Sequence, residues 1–280
     1  MIVNWRTLLI GLGIGAIAYG LAATLLWWRQ SRYIFFPVQE LEVTPAALAL
    51  AFEEVWLTVD SLEDTKIHGW WIPTTAPLPL GTLLYLHGNG ENIGANLGLA
   101  HRFQQLGFSV FLFDYRGYGL SQGAFPSEQR LYQDAEVAWQ YVTQVRQVPP
   151  EQVYLFGHSL GGAIAIELAT RQPQAAALIV QSSFTSIPAM AQRTFYAKLF
   201  PVDFLLSQRF DSLSKVAKLQ MPVFFIHGLA DVSVPPEMSQ LLYQAAAEPK
   251  QLWLVPQATH NNVAEVAGET YEQKIRQFLP

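Results

Sequence analysis

The sequence contains no cysteine, and this absence excludes several kinds of chemistry. Disulfide bonds, thiolate metal sites, cysteine nucleophiles and lipid attachment to cysteine are all ruled out. Charged side chains make up 14% of the 280 residues, and the net charge is −5. Because residues 1–32 hold three arginines and no acid, the rest of the chain is more acidic still. We therefore expect no nucleic-acid partner.

Patterns that hold phosphates or metals are also missing. The glycine-bearing loop His87–Glu91 matches neither Gly-x-Gly-x-x-Gly nor a Walker motif with its lysine. No pair among the six histidines has the spacing of metal ligands. The sequence thus predicts neither a cofactor nor a bound metal.

Charge is absent from the apolar run Leu8–Trp28, which is long enough for a helix that crosses a bilayer. Aromatic and basic residues suited to a membrane interface flank this run: Trp5, Arg6, Trp27, Trp28, Arg29 and Arg32. We predict a single-pass membrane anchor over residues 1–32.

A cleaved signal peptide is the alternative interpretation of the amino terminus, with Ala16–Ala18 as the cleavage site. Cleavage there would leave the apolar run Tyr19–Trp28 on the mature protein, so an uncleaved anchor is favoured. One arginine precedes the run and two follow it, which slightly favours a cytoplasmic domain, while the free amino terminus offsets this bias. The side of the membrane stays open.

Residues 33–52 contain two prolines and no sustained period, so they are predicted to be a connector. Residues 53–280 are predicted to form the catalytic domain. It starts with two strands, Glu54–Val59 and Thr65–Ile72, which the polar turn 60–64 joins into an antiparallel hairpin.

Short, nearly continuous apolar strands then alternate with helices. The strands are Thr82–Leu86, Val110–Phe113, Val153–Phe156, Ala177–Val180, Val223–Ile226 and Leu252–Val255. Strands that are apolar on both faces predict a mostly parallel sheet with helices on both sides, an α/β fold. Between two of them, residues 184–221 exceed the length of one crossover helix and are predicted to form a small cap.

The stretch Gly157–Gly161 reads Gly-His-Ser-Leu-Gly and lies between a predicted strand and a predicted helix. A serine on such a turn holds its hydroxyl out of the sheet, as a nucleophile requires. The pentapeptide alone is equally compatible with a glycine-rich turn whose serine caps the helix.

A serine nucleophile needs a histidine base and a carboxylate, and both are expected after the serine at strand ends. Asp231 follows the strand that ends at Ile226, and His260 follows the strand that ends at Val255. We predict Ser159, Asp231 and His260 as the catalytic residues. His227 also follows a strand, but it precedes a glycine in a tight turn, so we expect it to make a structural hydrogen bond.

Acyl transfer also requires donors for the developing oxyanion. The backbone N–H of Leu160, directly after the serine, is the first expected donor. The loop after the first parallel strand is expected to supply the second, with Asn89 as the first candidate and Gly90 as the alternative.

Together these residues resemble the α/β-hydrolase family. Within it, the segments Leu-His-Gly-Asn-Gly-Glu-Asn, Asp-Tyr-Arg-Gly-Tyr-Gly-Leu-Ser and Gly-His-Ser-Leu-Gly-Gly are similar to the single-pass, membrane-anchored serine hydrolases of the Bem46-like group. The resemblance covers residue 33 to the end. It implies Ser159 as nucleophile, His260 as general base and then acid, and Asp231 as the carboxylate that orients His260.

The resemblance leaves the substrate open. It implies a serine hydrolase for acyl esters or thioesters that acts through an acyl-enzyme, with a small ester, a lipid or an acylated protein as substrate. A serine peptidase or amidase would use the same residues. A non-catalytic, membrane-tethered binding protein is a third hypothesis, although such proteins usually lose part of the triad.

Overall fold

The computed structural model describes residues 5–60 and 64–279. Residues 61–63 of the predicted hairpin turn, residues 1–4 of the predicted anchor and the final residue lie outside this described part.

One eight-stranded sheet organises the molecule. Its strands are β1 (Glu53–Asp60), β2 (Thr65–Ile72), β3 (Gly81–Leu86), β4 (Phe108–Phe113), β5 (Val153–His158), β6 (Ala177–Gln181), β7 (Val223–Gly228) and β8 (Lys250–Val255). They lie in the order β1-β2-β4-β3-β5-β6-β7-β8. β2 runs antiparallel to β1 and β4, and all other neighbours are parallel. The predicted mostly parallel sheet with an amino-terminal hairpin is confirmed.

Helices alternate with the parallel strands. They are α1 (Trp5–Ile34), α2 (Leu97–Leu106), α3 (Glu128–Gln140), α4 (Leu160–Arg171), α5 (Ile187–Ala191), α6 (Tyr196–Leu199), α7 (Val202–Leu205), α8 (Ser212–Val216), α9 (Pro236–Ala245), α10 (Val263–Ala267) and α11 (Glu269–Phe278). Short 3-10 turns at Pro45–Leu48 and Pro150–Gln152 and a π turn at Tyr141–Val145 complete the described helical segments.

Two apolar cores lie on opposite faces of the sheet, because successive strand side chains point to opposite sides. Leu84 and Phe111 face the core that α3, α4, α8 and α9 cover, while their neighbours Leu83 and Val110 face the core beneath α2, α10 and α11. Such double coverage explains why the central strands are apolar throughout.

The amino-terminal helix α1 projects from this domain. It has 30 residues, and its most apolar window has a mean hydropathy of 2.0 with no residue buried inside the protein. A helix of this length and composition is able to cross a bilayer. Its carboxyl-terminal end differs, since Gln30 is buried against the domain.

The four short helices α5–α8 lie between β6 and β7, within the residues for which the sequence predicts a cap. Several large apolar side chains here are exposed: Phe195, Tyr196, Leu199 and Phe204. The connection to α1 is direct, because the Tyr19 hydroxyl donates to the Leu199 carbonyl over 2.9 Å.

Candidate active site

Ser159 lies at the turn from β5 into α4, with a strained backbone. Its φ of 54° and ψ of −116° are rarely adopted by residues with a side chain. The Ser159 N–H donates to the Gln181 carbonyl over 2.9 Å, and its own carbonyl accepts from the Ser183 hydroxyl over 2.8 Å. These bonds to the neighbouring strand hold the turn in its strained form.

The glycines two residues to either side of Ser159 make the tight turn possible. A Cβ at Gly157 would collide with the Gly161 carbonyl, and a Cβ at Gly161 would collide with the carbonyls of Leu86 and His87. The start of α4 therefore lies directly against β5 and the end of β3, which leaves the Ser159 hydroxyl above the carboxyl ends of the strands.

The structure brings Ser159, Asp231 and His260 together. His260 Nδ1 lies 2.6 Å from Asp231 Oδ2, and His260 Nε2 lies 2.9 Å from Ser159 Oγ. A carboxylate only accepts hydrogen bonds, so Nδ1 carries the proton and Nε2 accepts from the serine hydroxyl. In this tautomer His260 is set to take the Ser159 proton.

His227 holds the carboxylate of Asp231, a contact that the sequence interpretation missed. Its Nε2 lies 3.0 Å from Asp231 Oδ2 and 2.9 Å from the Val234 carbonyl, so Nε2 carries the proton. Its Nδ1 accepts from the Ser239 hydroxyl over 2.6 Å. His227 precedes Asp231 by four residues, a spacing across one tight turn that offered a signal for this pairing.

Asp231 is surrounded by hydrogen-bond donors. Besides the two histidines, the N–H groups of Ser233 and Val234 donate to Oδ1, each over 2.9 Å. Burial acts to raise the pKa of Asp231, but the hydrogen bonds from His227, His260 and Val234 outweigh it and hold the pKa well below its usual range. The carboxylate is therefore ionised at neutral pH and able to stabilise a protonated His260.

His158, next to Ser159, supports the loop that carries His260. Its Nε2 donates to the carbonyl of His260 over 3.1 Å. Burial, together with the nearby His260, lowers the pKa of His158 from 6.5 to about 4. His158 is thus a neutral, structural hydrogen-bond donor at neutral pH.

This lowered pKa makes stability depend on pH. Unfolding restores the ordinary pKa of 6.5. Between pH 6.5 and about 4, His158 is therefore protonated in the unfolded chain and neutral in the folded chain. The stabilisation is complete above pH 6.5 and is lost as the pH falls. Between pH 7 and pH 4, wild type is expected to lose about 3 kcal/mol more unfolding free energy than His158→Gln. Denaturant unfolding of both proteins in detergent measures this difference, and parallel pH profiles would contradict it.

The predicted oxyanion donors belong to Leu160 and Asn89, which lie on two segments that meet near Ser159. The Leu160 N–H belongs to the first residue of α4, where helix N–H groups have no partner within the helix. Gly88 brings the loop after β3 against the turn, since a Cβ there would lie 3.4 Å from the Cβ of Ser159. Asn89 and Leu160 both line the cavity above Ser159. Gly90 lies in the turn that follows, where its φ is 77°.

The side chain of Asn89 ties this loop to the chain that leaves α1. Its Nδ2 donates to the Ile34 carbonyl over 2.6 Å, and its Oδ1 accepts from the Phe36 N–H over 2.9 Å and from the Tyr118 hydroxyl over 2.8 Å. The loop predicted to hold the oxyanion is therefore fixed by the residues that follow or end α1. We call this arrangement the Asn89 clamp.

A cavity of about 690 Å³ opens above Ser159 and His260. Its walls are mainly apolar and come from the short helices between β6 and β7 and, unexpectedly, from α1. The contributions of α1 and the residues after it are Leu26, Gln30, Tyr33, Ile34 and Phe36. From its sequence, this helix was expected only to be an anchor, and the uncharged polar Gln30 beyond the apolar run was a signal for a second role.

Comparisons with known proteins agree with this geometry. Residues 78–214 match the family Hydrolase_4, described as serine aminopeptidase, S33. The chain is 31% identical to the α/β hydrolase domain-containing protein WAV2 of Arabidopsis thaliana, over 100% of this chain and 96% of that protein. It is 32% identical to protein bem46 of Schizosaccharomyces pombe, with 95% and 91% of the two chains covered.

Among solved structures, an esterase from Pyrococcus furiosus has a similar fold. The TM-score is 0.71 at 22% identity, with 87% of this chain and 96% of the esterase covered. At this identity the similarity concerns the fold, and it agrees with the eight-stranded sheet and its helices.

Proposed function

Because the chain belongs to the α/β-hydrolase family, we propose that it is a serine hydrolase that cleaves carboxylic ester or thioester bonds through an acyl-enzyme. One observation carries this proposal. Ser159, His260 and Asp231 form a continuous hydrogen-bonded array at the base of an apolar cavity. Family membership supports hydrolysis in general, and the array and the cavity favour acyl substrates.

In the proposed first half-reaction, Ser159 Oγ attacks the carbonyl carbon of the acyl group and His260 Nε2 takes the hydroxyl proton. The backbone N–H groups of Leu160 and Asn89 donate hydrogen bonds to the carbonyl oxygen and stabilise its negative charge. The tetrahedral intermediate then collapses. The alcohol or thiol leaves with the proton from His260, and the acyl group stays on Ser159.

Water completes the cycle in the second half-reaction. His260 removes a proton from water, the resulting hydroxide attacks the acyl-enzyme, and the acid leaves as Ser159 regains its proton. Asp231 stays ionised throughout and stabilises the imidazolium, consistent with its lowered pKa.

The nature of the cavity favours an acyl chain over a peptide. Leu160, Phe184, Met190 and Val234 are among the apolar residues around it. Peptide groups in such surroundings would lose their hydrogen bonds to water without replacement, whereas an acyl chain buries only apolar surface. The length and hydropathy of α1 support a membrane-anchored enzyme, and hence a lipid or an acylated protein as substrate.

Labelling and substrate preference test the proposal in one set of measurements. The full chain in detergent is treated with a fluorophosphonate probe, and the modified residue is located by mass spectrometry. Hydrolysis of an ester, a thioester and an amide with the same acyl group is then compared. We expect labelling at Ser159 and a kcat/KM for the ester and thioester about tenfold or more above that for the amide.

Two outcomes would contradict the proposal and favour its alternatives. Preference for the amide would indicate a peptidase or amidase, in line with the name of the matched family. Failure of the probe to label the folded protein would favour a binding protein that retains the residues without the activity.

A further inference from the structure

Helix α1 forms one wall of the cavity above Ser159. Leu26, Gln30 and Tyr33 all line it, and spacings of four and three residues place them on the same face of the helix. Leu25, the neighbour of Leu26, is exposed on another face. A helix that served only to tether the domain would have no need to line its cavity.

The cap is attached to α1 at two separate levels. Near the middle of α1, the Tyr19 hydroxyl donates to the Leu199 carbonyl over 2.9 Å, and the Tyr19 ring stacks on Phe200 with 5.1 Å between centroids. Near its end, Gln30 Oε1 accepts from the N–H groups of Ser207 and Gln208 over 2.8 and 3.2 Å. The segment 195–206, which includes Leu199 and Phe200 and ends next to Ser207, therefore lies along α1, and we call it the cap tip.

The depth of these contacts follows from helix geometry. The apolar run of α1 ends at Trp28, and Tyr19 lies nine residues before it, which is about 13 Å along the helix. Half of the hydrocarbon core of a bilayer is about 15 Å thick. If α1 crosses a bilayer, the Tyr19 contact with the cap tip is below the headgroups. Leu26 also belongs to the apolar run and lies two residues before Trp28, so the cavity reaches about 3 Å below the end of the run.

The exposed side chains of the cap tip suit lipid better than water. Phe204 is 90% exposed, and Phe195, Tyr196 and Leu199 are each at least half exposed. A cluster of exposed aromatic and aliphatic groups is costly in water and is typical of membrane contact. The same segment also has two charged residues, Lys198 and Asp203, and the Asp203 carboxylate accepts from Gln192 Nε2 over 2.9 Å.

We propose that the cap tip is embedded in the leaflet beside α1, and that the cavity admits the acyl chain of a membrane lipid ester laterally, between α1 and the cap tip. This inference rests on the proposed ester hydrolysis and names its substrate class and route of entry. Tyr196 and Phe200 of the cap tip line the same cavity as Leu26 and Ser159, so an acyl chain that enters between α1 and the cap tip extends from the hydrocarbon toward Ser159. The ester group is then at the serine, and the headgroup stays at the membrane surface.

Substitutions at the two neighbouring leucines test the route. Full-length protein is reconstituted in phosphatidylcholine vesicles, and hydrolysis of methylumbelliferyl palmitate in the bilayer is compared with that of methylumbelliferyl butyrate in water. Leu26→Trp adds bulk to the cavity wall and narrows the cavity. We expect the palmitate-to-butyrate ratio of kcat/KM to fall about tenfold. Leu25→Trp places the same bulk at the same depth on the exposed face and is expected to leave the ratio unchanged.

The outcomes separate the two proposals. If neither ester is hydrolysed by wild type, the proposed function fails. If both are hydrolysed and the two variants have the same ratio, the ester hydrolase stands and entry along α1 is overturned.

The position of the cap tip has a readout that does not depend on activity. Because the chain has no cysteine, Phe204→Cys supplies a single site for a nitroxide label. Leu78→Cys is the matched control, since Leu78 is also highly exposed, at 85%, but precedes β3 at the opposite end of the strand from Ser159. In vesicles, we expect the label at position 204 to be relaxed by oxygen, which concentrates in hydrocarbon, and the label at position 78 by a water-soluble nickel chelate. Equal accessibility of both labels to the nickel chelate would overturn the embedding.

Discussion

Replacing Ser159 with alanine is expected to lower kcat for acyl esters by about a million-fold and to abolish labelling by a fluorophosphonate. The reason is that Ser159 Oγ is the atom to which His260 Nε2 is hydrogen-bonded, at 2.9 Å. Without that oxygen, no covalent intermediate forms and the proton acceptor has nothing to activate. Residual turnover would come only from substrate binding and the oxyanion donors.

The fold is expected to survive this change. Alanine keeps the Cβ of serine, so the backbone strain at a φ of 54° is present in both proteins, and residue 159 contributes only its backbone N–H and carbonyl to the hydrogen bonds that hold the turn. The thermal unfolding midpoint should stay close to that of wild type, which assigns the loss of activity to chemistry. Ser214→Ala changes an exposed serine outside the cavity and serves as the control, with full labelling expected.

Labelling of Ser159→Ala at unchanged intensity would contradict the assignment. The first residue to consider would then be Ser183, whose hydroxyl lies 2.8 Å from the Ser159 carbonyl. Mass spectrometry of the labelled peptide distinguishes the two serines.

Replacing Asp231 with asparagine is expected to lower kcat by about ten-thousand-fold while the protein remains folded. The carboxylate accepts four hydrogen bonds, two from histidines at Oδ2 and two from backbone N–H groups at Oδ1. An amide of the same shape replaces one acceptor with an NH₂ group, so one pair of donors loses its partner.

Either orientation of the new amide is unfavourable. With its NH₂ group toward the histidines, it donates to His260 Nδ1 and drives the proton to Nε2, which then no longer accepts from Ser159. With its NH₂ group toward the backbone, it opposes the N–H groups of Ser233 and Val234 and weakens the loop. In both cases the negative charge that stabilises the imidazolium is gone.

Steady-state kinetics with one soluble ester measures this effect, with circular dichroism to monitor folding. Asp211→Asn is the matched control, because Asp211 caps α8 by accepting from the Ser214 N–H, and asparagine caps a helix equally well. Its kcat should equal that of wild type. A decrease of less than tenfold for Asp231→Asn would mean that Asp231 does not hold His260 in its working tautomer.

The sequence was most informative at the ends of strands. Ser159, Asp231 and His260 were predicted as partners because parallel strands bring their carboxyl ends to one edge, and the structure places His260 within hydrogen-bond distance of both other residues. Helix α3 likewise begins where a capping serine stands, since the Ser127 hydroxyl accepts from the Arg130 N–H. Local pattern and global fold agree at these positions.

The contacts between distant segments were beyond the reach of sequence patterns. Helix α1 is apolar on every side, so no periodicity marks the face with Leu26 and Tyr33 as part of a cavity. The helices α5–α8 have only four or five residues each, too few for a recognisable period. His227 was expected to make a structural hydrogen bond because it precedes a glycine in a tight turn, and it does make one, but the sequence did not identify Asp231 as its partner.

The Asn89 clamp has a consequence for any soluble fragment of this protein. A fragment that starts at residue 53 has lost Ile34 and Phe36, so the Asn89 amide has neither of its backbone partners. It has also lost Phe35, whose buried ring packs against Phe210 at 5.9 Å, and the side of the cavity formed by α1. Such a fragment would carry Ser159, Asp231 and His260 in an open cleft with a loosened oxyanion loop. Its kinetics would describe that fragment, and detergent-solubilised full chain is the form in which rates reflect the intact site.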